Sequence, residues 1–114
     1  MKLWIDDIRP APEGYQWVKS VNEAKEAIIK YEDYVENLLD EWDFPPLEIW
    51  EMTIDVIDID HDAGDFSSDG GDYIRLLDWL EETSRNYPIH IHSMNPVGVQ
   101  NMRAIIQKNN WKEI

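Results

Sequence analysis

The stretch Ile57-Asp58-Ile59-Asp60-His61-Asp62-Ala63-Gly64 constrains this chain more than any other. An apolar run from Met52 to Ile59 reads as a buried strand, and it breaks off in carboxylates and a glycine. A second short apolar run, Lys2-Leu3-Trp4-Ile5, breaks off the same way in Asp6-Asp7. If the two strands are neighbours, several carboxylates meet at one edge of a sheet. Like charges at that range raise one another's pKa and cost stability unless a cation or protons compensate. The pattern therefore points to a metal site.

Between these strands the chain alternates its signals. Lys2 to Ile5 is the first strand, and the prolines and glycine of Arg9-Pro10-Ala11-Pro12-Glu13-Gly14 make a loop. Tyr15 to Lys19 is a second, short strand. Ser20 with Glu23 forms a capping box. From there Val21, Ala24, Ile28, Tyr31, Val35, Leu38 and Trp42 recur at helical spacing, a long amphipathic helix that Phe44-Pro45-Pro46 stops. Leu47 to Met52 is either a helical turn or the lead-in to the strand Thr53–Asp60, whose apolarity suits burial on both faces in a parallel sheet. Ala63 to Gly71 is a loop, and Asp72 to about Arg85 a helix. Ile89-His90-Ile91-His92 is a strand, after which Asn95 caps a helix with Pro96 at its first position, running to about Asn109. This order predicts an open, mostly parallel α/β sheet of about four strands flanked by helices, in a single domain over 1–114.

Composition narrows the partners. The 114 residues hold 24 Asp and Glu against 10 Lys and Arg, a formal net charge of −14. Binding to long nucleic acid rests on Lys and Arg neutralising phosphates, so a long polymer is disfavoured. There is no cysteine, which rules out disulfides and thiolate metal sites. No stretch has the length of a membrane span, and the default expectation is a cytoplasmic protein that does not engage membranes. The six tryptophans mostly fall in step with the apolar periodicity, and core packing is the expected role.

In open parallel sheets ligands bind beyond the carboxyl ends of the strands. That places Asp6, Asp7, Asp60, His61, Asp62, Ser93 and Asn95 along one rim. Carboxylates are the ligands that Mg²⁺ or Mn²⁺ prefer, and the helix start near Pro96 offers backbone N–H groups to a phosphate. Asp60 is the strongest single candidate, with Asp7 the direct ligand of the Asp6-Asp7 pair and Asp6 in support. Asp58 lies on the same face as Asp60, deeper in the sheet, and is equally readable as a buried acid paired with an Arg or a Trp N–H. His61, between two acids, suits general acid/base work. His90 and His92 share a strand face, with His92 nearer the rim.

The segment Leu3-Trp4-Ile5-Asp6-Asp7-Ile8-Arg9-Pro10-Ala11-Pro12-Glu13-Gly14 resembles the opening of the cyclic-phosphate-processing receiver-like domain family. Ile59-Asp60-His61-Asp62-Ala63-Gly64, Ile91-His92-Ser93-Met94-Asn95-Pro96-Val97-Gly98 and Asn101-Met102 resemble its further signatures, in the family's order. The resemblance implies a reduced, receiver-like (flavodoxin-like) fold. Asp6 and Asp7 would then correspond to the receiver acid pair, Asp60 to the phospho-accepting aspartate and Ser93 to the receiver hydroxyl residue. His61, Asp62, His92 and Asn95 would belong to the family's own set. Three features depart from the pattern. The segment 31–51 is longer and more acidic than the usual connection, Asp58 stands where a small residue is more common, and no fifth strand ending in lysine is evident.

Together these readings lead to an expected reaction, metal-dependent hydrolysis of a cyclic phosphodiester. Asp6, Asp7 and Asp60 would hold Mg²⁺ or Mn²⁺; His61, His92 and Asp60 would be catalytic; and Ser93, Asn95 and Arg9 would bind substrate, a small cyclic nucleotide or cyclic phosphate. Two alternatives come from other classes: a non-catalytic sensor of phosphate or nucleotide, and an acidic interaction or inhibitor module that meets a protein partner through 31–51.

Overall fold

The computed structural model describes residues 1–114. Strands β1 (Lys2–Ile5), β2 (Tyr15–Val18), β3 (Val56–Ile59) and β4 (Ile89–Ile91) form one sheet in the order β2-β1-β3-β4. Every pairing is parallel. The helices are α1 (Val21–Asp40), α2 (Leu47–Trp50), α3 (Ile74–Glu82) and α4 (Pro96–Lys108), with a 3₁₀ turn at Gly64–Ser68. No helix is long and apolar enough to cross a membrane.

Alternation along the strands sorts the two faces of the sheet. Leu3, Ile5, Val18, Ile57, Ile59 and Ile89 point one way, into a single core that also takes Val21, Ala24 and Ile28 of α1. Leu76, Leu77 and Leu80 of α3, with Met102 and Ile106 of α4, complete it. Each such side chain, once buried, contributes roughly 1.5–3 kcal/mol. The opposite parity carries Lys2, Trp4, Tyr15, Trp17, Asp58 and His90, none of which enters that core. The helices thus form one layer, and the second sheet face is lined by aromatic and polar side chains.

Most local expectations hold, with instructive shifts. Ser20 accepts the Glu23 amide at 3.0 Å, the first half of the capping box, while the Glu23 carboxylate accepts from the Lys19 amide, one residue before the cap. At α4, Asn95 Oδ1 accepts the Gly98 amide at 3.0 Å. The third strand begins at Val56 rather than Thr53, because its register against β1 starts at the pair Lys2↔Val56. Leu47–Trp50 resolves as one helical turn.

One expectation needs correcting. Core packing accounts for few tryptophans: Trp111 is buried and Trp4 and Trp79 are half-buried, while Trp17, Trp42 and Trp50 are exposed. The first parallel crossover has no helix; the loop Asp6–Gly14 alone makes it, shorter than the dozen or so residues usual for such a link. Side chains staple this loop. Trp4 Nε1 donates to the Arg9 carbonyl at 2.9 Å, and Asp6 Oδ1 accepts the amides of Ile8 and Arg9. At the chain end, Glu113 makes a single bridge to Ile89 at the start of β4. No fifth strand brings a lysine to the carboxyl rim.

Candidate functional site

The register Ile5↔Ile59↔Ile91 puts the next residues of the three inner strands at one level. The ladder also continues a step: the Asp6 amide donates to Val18, that of Asp60 to Ile5 and that of His92 to Ile59. Strands lie about 4.8 Å apart, so Asp6, Asp60 and His92 must meet. Their donor atoms all lie within 4.8 Å of one another. Parity turns these three toward the face of Trp4, Asp58 and His90.

Short polar contacts join them into a chain of alternating acids and bases. His92 Nε2 contacts Asp6 Oδ2 at 3.0 Å and its Nδ1 contacts Asp58 Oδ1 at 2.6 Å. Carboxylates only accept, so each contact is a hydrogen bond donated by the facing ring nitrogen when that nitrogen carries a proton. The Trp4 ring stacks on the imidazole at 3.9 Å between centroids, 3° from parallel, which fixes its plane. Arg9 continues the chain, with Nε 3.2 Å from Asp6 Oδ2 and a terminal nitrogen 3.6 Å from Asp60 Oδ2. Asp58 Oδ1 also accepts from His90 Nδ1 at 2.9 Å. Asp58 is therefore a buried acid, as one sequence reading had it, but its partners are two histidines rather than an Arg or a Trp. The register Asp58↔His90 carries that signal and needs the strand pairing to be read.

The carboxylates differ in how well they are compensated. Burial alone would raise Asp6, yet the Ile8 and Arg9 amides and the His92 ring hold its carboxyl below the usual range. Asp58 follows the same rule: burial opposes, and His92 and His90 outweigh it. Asp7 is the exception. Burial, then the charges of Asp6, Asp60 and Asp65, raise it against the pull of its own backbone amide, and it has no basic partner. Its carboxylate lies over Gly64, where a β-carbon would collide with it. Four acids here, Asp6, Asp7, Asp58 and Asp60, face Arg9 and two histidines, so the rim is rich in carboxylate.

The remaining candidates gather beside this cluster. The His61 amide donates to Asp60 Oδ1 at 2.7 Å, and the His61 ring lies against Gly98, where a β-carbon would overlap it. His61 Nδ1 is 2.9 Å from Asp62 Oδ1 and 3.4 Å from Asn95 Nδ2, and its Nε2 has no protein partner. Asn95 spends its oxygen on the α4 cap, and Ser93 Oγ accepts the Asn95 amide at 3.1 Å. Pro96 has no N–H, and the amides of Gly98 and Val99 bond to Asn95, so Val97 offers the free amide of this helix start. Asp6, Asp60 and His92 are the residues whose donor atoms come close enough together to share one cation, and Asp7, the expected direct ligand, lies outside that group.

The sequence matches the family model described as the cyclic-phosphate processing receiver domain over residues 1–108. No curated protein and no solved structure matches it. With an all-parallel receiver-like sheet, acids converging at its carboxyl rim and a match across nearly its whole length, this chain belongs to the cyclic-phosphate processing receiver domain family.

Proposed function

We propose that the rim hydrolyses a small cyclic phosphodiester with the help of a divalent cation. The observation that carries this reading is the uncompensated charge of Asp7 next to Asp60, in a cluster whose other acids each contact Arg9 or a histidine. Asp60, with Asp6 beside it, would hold Mg²⁺ or Mn²⁺, and the Asp7 carboxylate would add its charge next to them. When bound, such an ion polarises a phosphoryl oxygen and lowers the pKa of bound water.

The chain's own groups supply the rest. Arg9, half-exposed and only lightly held by Asp60, turns its guanidinium to the phosphoryl oxygens, a planar match that arginine suits. The Val97 amide and the Ser93 hydroxyl lie on the α4 side of the same rim. Asp62 orients His61 through Nδ1 and leaves Nε2 free. As water adds to phosphorus and one P–O bond of the ring breaks, His61 Nε2 delivers a proton to the departing sugar oxygen, giving a phosphomonoester. His92, with both nitrogens occupied, keeps Asp6 in place instead of exchanging protons. The negative surface favours a small nucleotide over a polymer.

A panel of 2′,3′- and 3′,5′-cyclic nucleotides, assayed for product with Mg²⁺ or Mn²⁺, tests the reading. Metal-dependent turnover falling at least about 100-fold in Asp60→Asn, by analogy with loss of a key transition-state contact, is the expected result. Turnover unchanged in that variant would remove Asp60 from the chemistry. One observation favours a second reading, a non-catalytic sensor: Arg9 already bridges Asp6 and Asp60 as a resident cation. Nucleotide binding without product, lost in Arg9→Ala, would favour it.

A further inference from the structure

The end of the molecule away from the rim is built unlike the rest. Between Glu32 and Glu51 there are eight acids and no Lys or Arg. Only Glu32 has a basic partner, Arg85. Glu32, Glu36 and Asp40 follow one another at four-residue spacing on α1, a repulsive arrangement. Asp40 and Glu41 sit at the negative end of the helix dipole, and the last turn holds no basic residue. Apart from that of Glu32, none of this charge is paired within the fold. Local conflict of that kind, with no compensation inside the chain, marks surfaces kept for something else.

The same segment exposes large apolar side chains. Trp42 is 52% exposed, Leu47 68%, Trp50 62% and Phe44 91%. The fully buried residues of α1 all lie in its first half, Val21, Ala24 and Ile28. Beneath its second half, Val35 and Leu39 face Met52, Ile54 and Tyr87 across a groove of about 270 Å³, with Glu36 on the lip. That is below the size of most drug-like ligand sites and suits one or two anchoring side chains.

Charge decides the occupant. A second copy brings −14 against −14, and nucleic acid or an anionic membrane brings the same sign. We infer that the α1–α2 hairpin docks a basic amphipathic segment of a partner protein, its apolar residues on Trp42, Phe44 and Trp50 and in the groove, its Lys and Arg against the unpaired acids. Aromatic anchors with complementary charge around them are what such interfaces use. This docking is independent of the chemistry at the rim.

The test titrates the full chain with a designed peptide bearing Lys on one helical face and Leu on the other, and with a scrambled peptide of equal composition. Calorimetry at physiological salt reads affinity, and sedimentation reads mass. The amphipathic peptide is expected to bind at least about tenfold tighter, close to 1.4 kcal/mol, and to lose that margin in Phe44→Ser/Trp50→Ser. Both substitutions are at exposed positions, and an unchanged melting curve confirms the fold. Asp60→Asn should leave the affinity as it was, which separates this surface from the rim. Equal affinity for the two peptides would reduce the surface to bulk polyanion attraction and overturn the inference. So would tight binding that survives the double variant, or a dimer in sedimentation that the double variant dissolves.

Discussion

The carboxyl rim and the α1–α2 hairpin are both crowded with aspartate and glutamate, and they handle that charge in opposite ways. At the rim Asp58, His92, Asp6, Arg9 and Asp60 form a run of acids and bases joined by short contacts, and Asp7 alone is left over. In the hairpin seven of eight acids face water with no basic neighbour, Glu32 being the exception. A paired, buried acid belongs to a network that the fold depends on. An unpaired, exposed acid weakens the fold slightly and is free to meet something from outside. The same residue type therefore signals internal architecture in one region and an outward-facing surface in the other.

The comparison breaks most sharply at Asp58, which is 7% exposed and accepts from two histidines. Asp58→Ala leaves the buried Nδ1 of His92 without its acceptor, a loss of up to about 3 kcal/mol and roughly 10 °C in melting temperature. The acid limb of stability should change with it. Asp6 and Asp58 are held below their ordinary value of 3.8 in the native state, so their stabilisation is complete above that pH. It drains away as pH falls below 3.8 toward the lowered native values. Melting curves from pH 5 downward should drop steeply in the parent and more gently in Asp58→Ala. Identical curves would mean the histidines find other acceptors, and the rim would be no more of a network than the hairpin.

Much of the rim could be read before any coordinates. Strand ends in acid, the Ser20 and Asn95 caps and the rule that parallel sheets bind ligands at their carboxyl edge place Asp6, Asp60 and Asn95 correctly along one edge. What stayed hidden were the pairings across strands. Nothing in the local sequence says that Asp58 lies opposite His90, that His92 reaches both Asp58 and Asp6, or that Trp4 covers the ring. Those follow from a register fixed over only three or four residues per strand. The tryptophans misled for a related reason. Trp42 keeps helical spacing with Val35 and Leu38, but α1 stops at Asp40, so Trp42 lies past the helix end and is exposed.

A second intervention concerns Gly64, at φ +55° and pressed against Asp7. Gly64→Ala meets both left-handed backbone strain, about 1 kcal/mol or more, and the collision. Adding Asp7→Ala should recover the collision share and leave the backbone share, so the double-mutant cycle reports a coupling of about 1 kcal/mol. Strict additivity in denaturant melts would show that Asp7 does not rest on that loop.

Asp7 itself supplies a smaller effect of opposite sign. Burial and the neighbouring charges of Asp6, Asp60 and Asp65 raise its pKa, so its native carboxylate is a liability at neutral pH, relieved when it takes up a proton. Asp7→Asn should raise the melting temperature by roughly 2–4 °C, in keeping with a sub-kilocalorie to one-kilocalorie gain. Millimolar Mg²⁺ or Mn²⁺ should stabilise the parent by mass action and the variant less. A variant that melts lower would place Asp7 among the paired acids and take away the argument for a cation at the rim.

The smallest effects belong to the hairpin and complete the contrast. Glu36→Gln relieves repulsion from both Glu32 and Asp40, and Asp40→Asn removes a charge from the unfavourable end of α1. Each should stabilise the free chain by about 0.3–0.5 kcal/mol. The gain should shrink as salt rises, since the screening length falls from about 10 Å at 0.1 M to about 3 Å at 1 M. At the rim the same carboxylate-to-amide change is costly at Asp58, where the partners are buried and salt reaches them poorly. If Glu36→Gln or Asp40→Asn instead lowered stability at every salt concentration, those acids would be serving the fold after all. The two regions would then differ in degree of exposure alone, and the case for a basic partner would have to rest on Trp42, Phe44 and Trp50 without the charge around them.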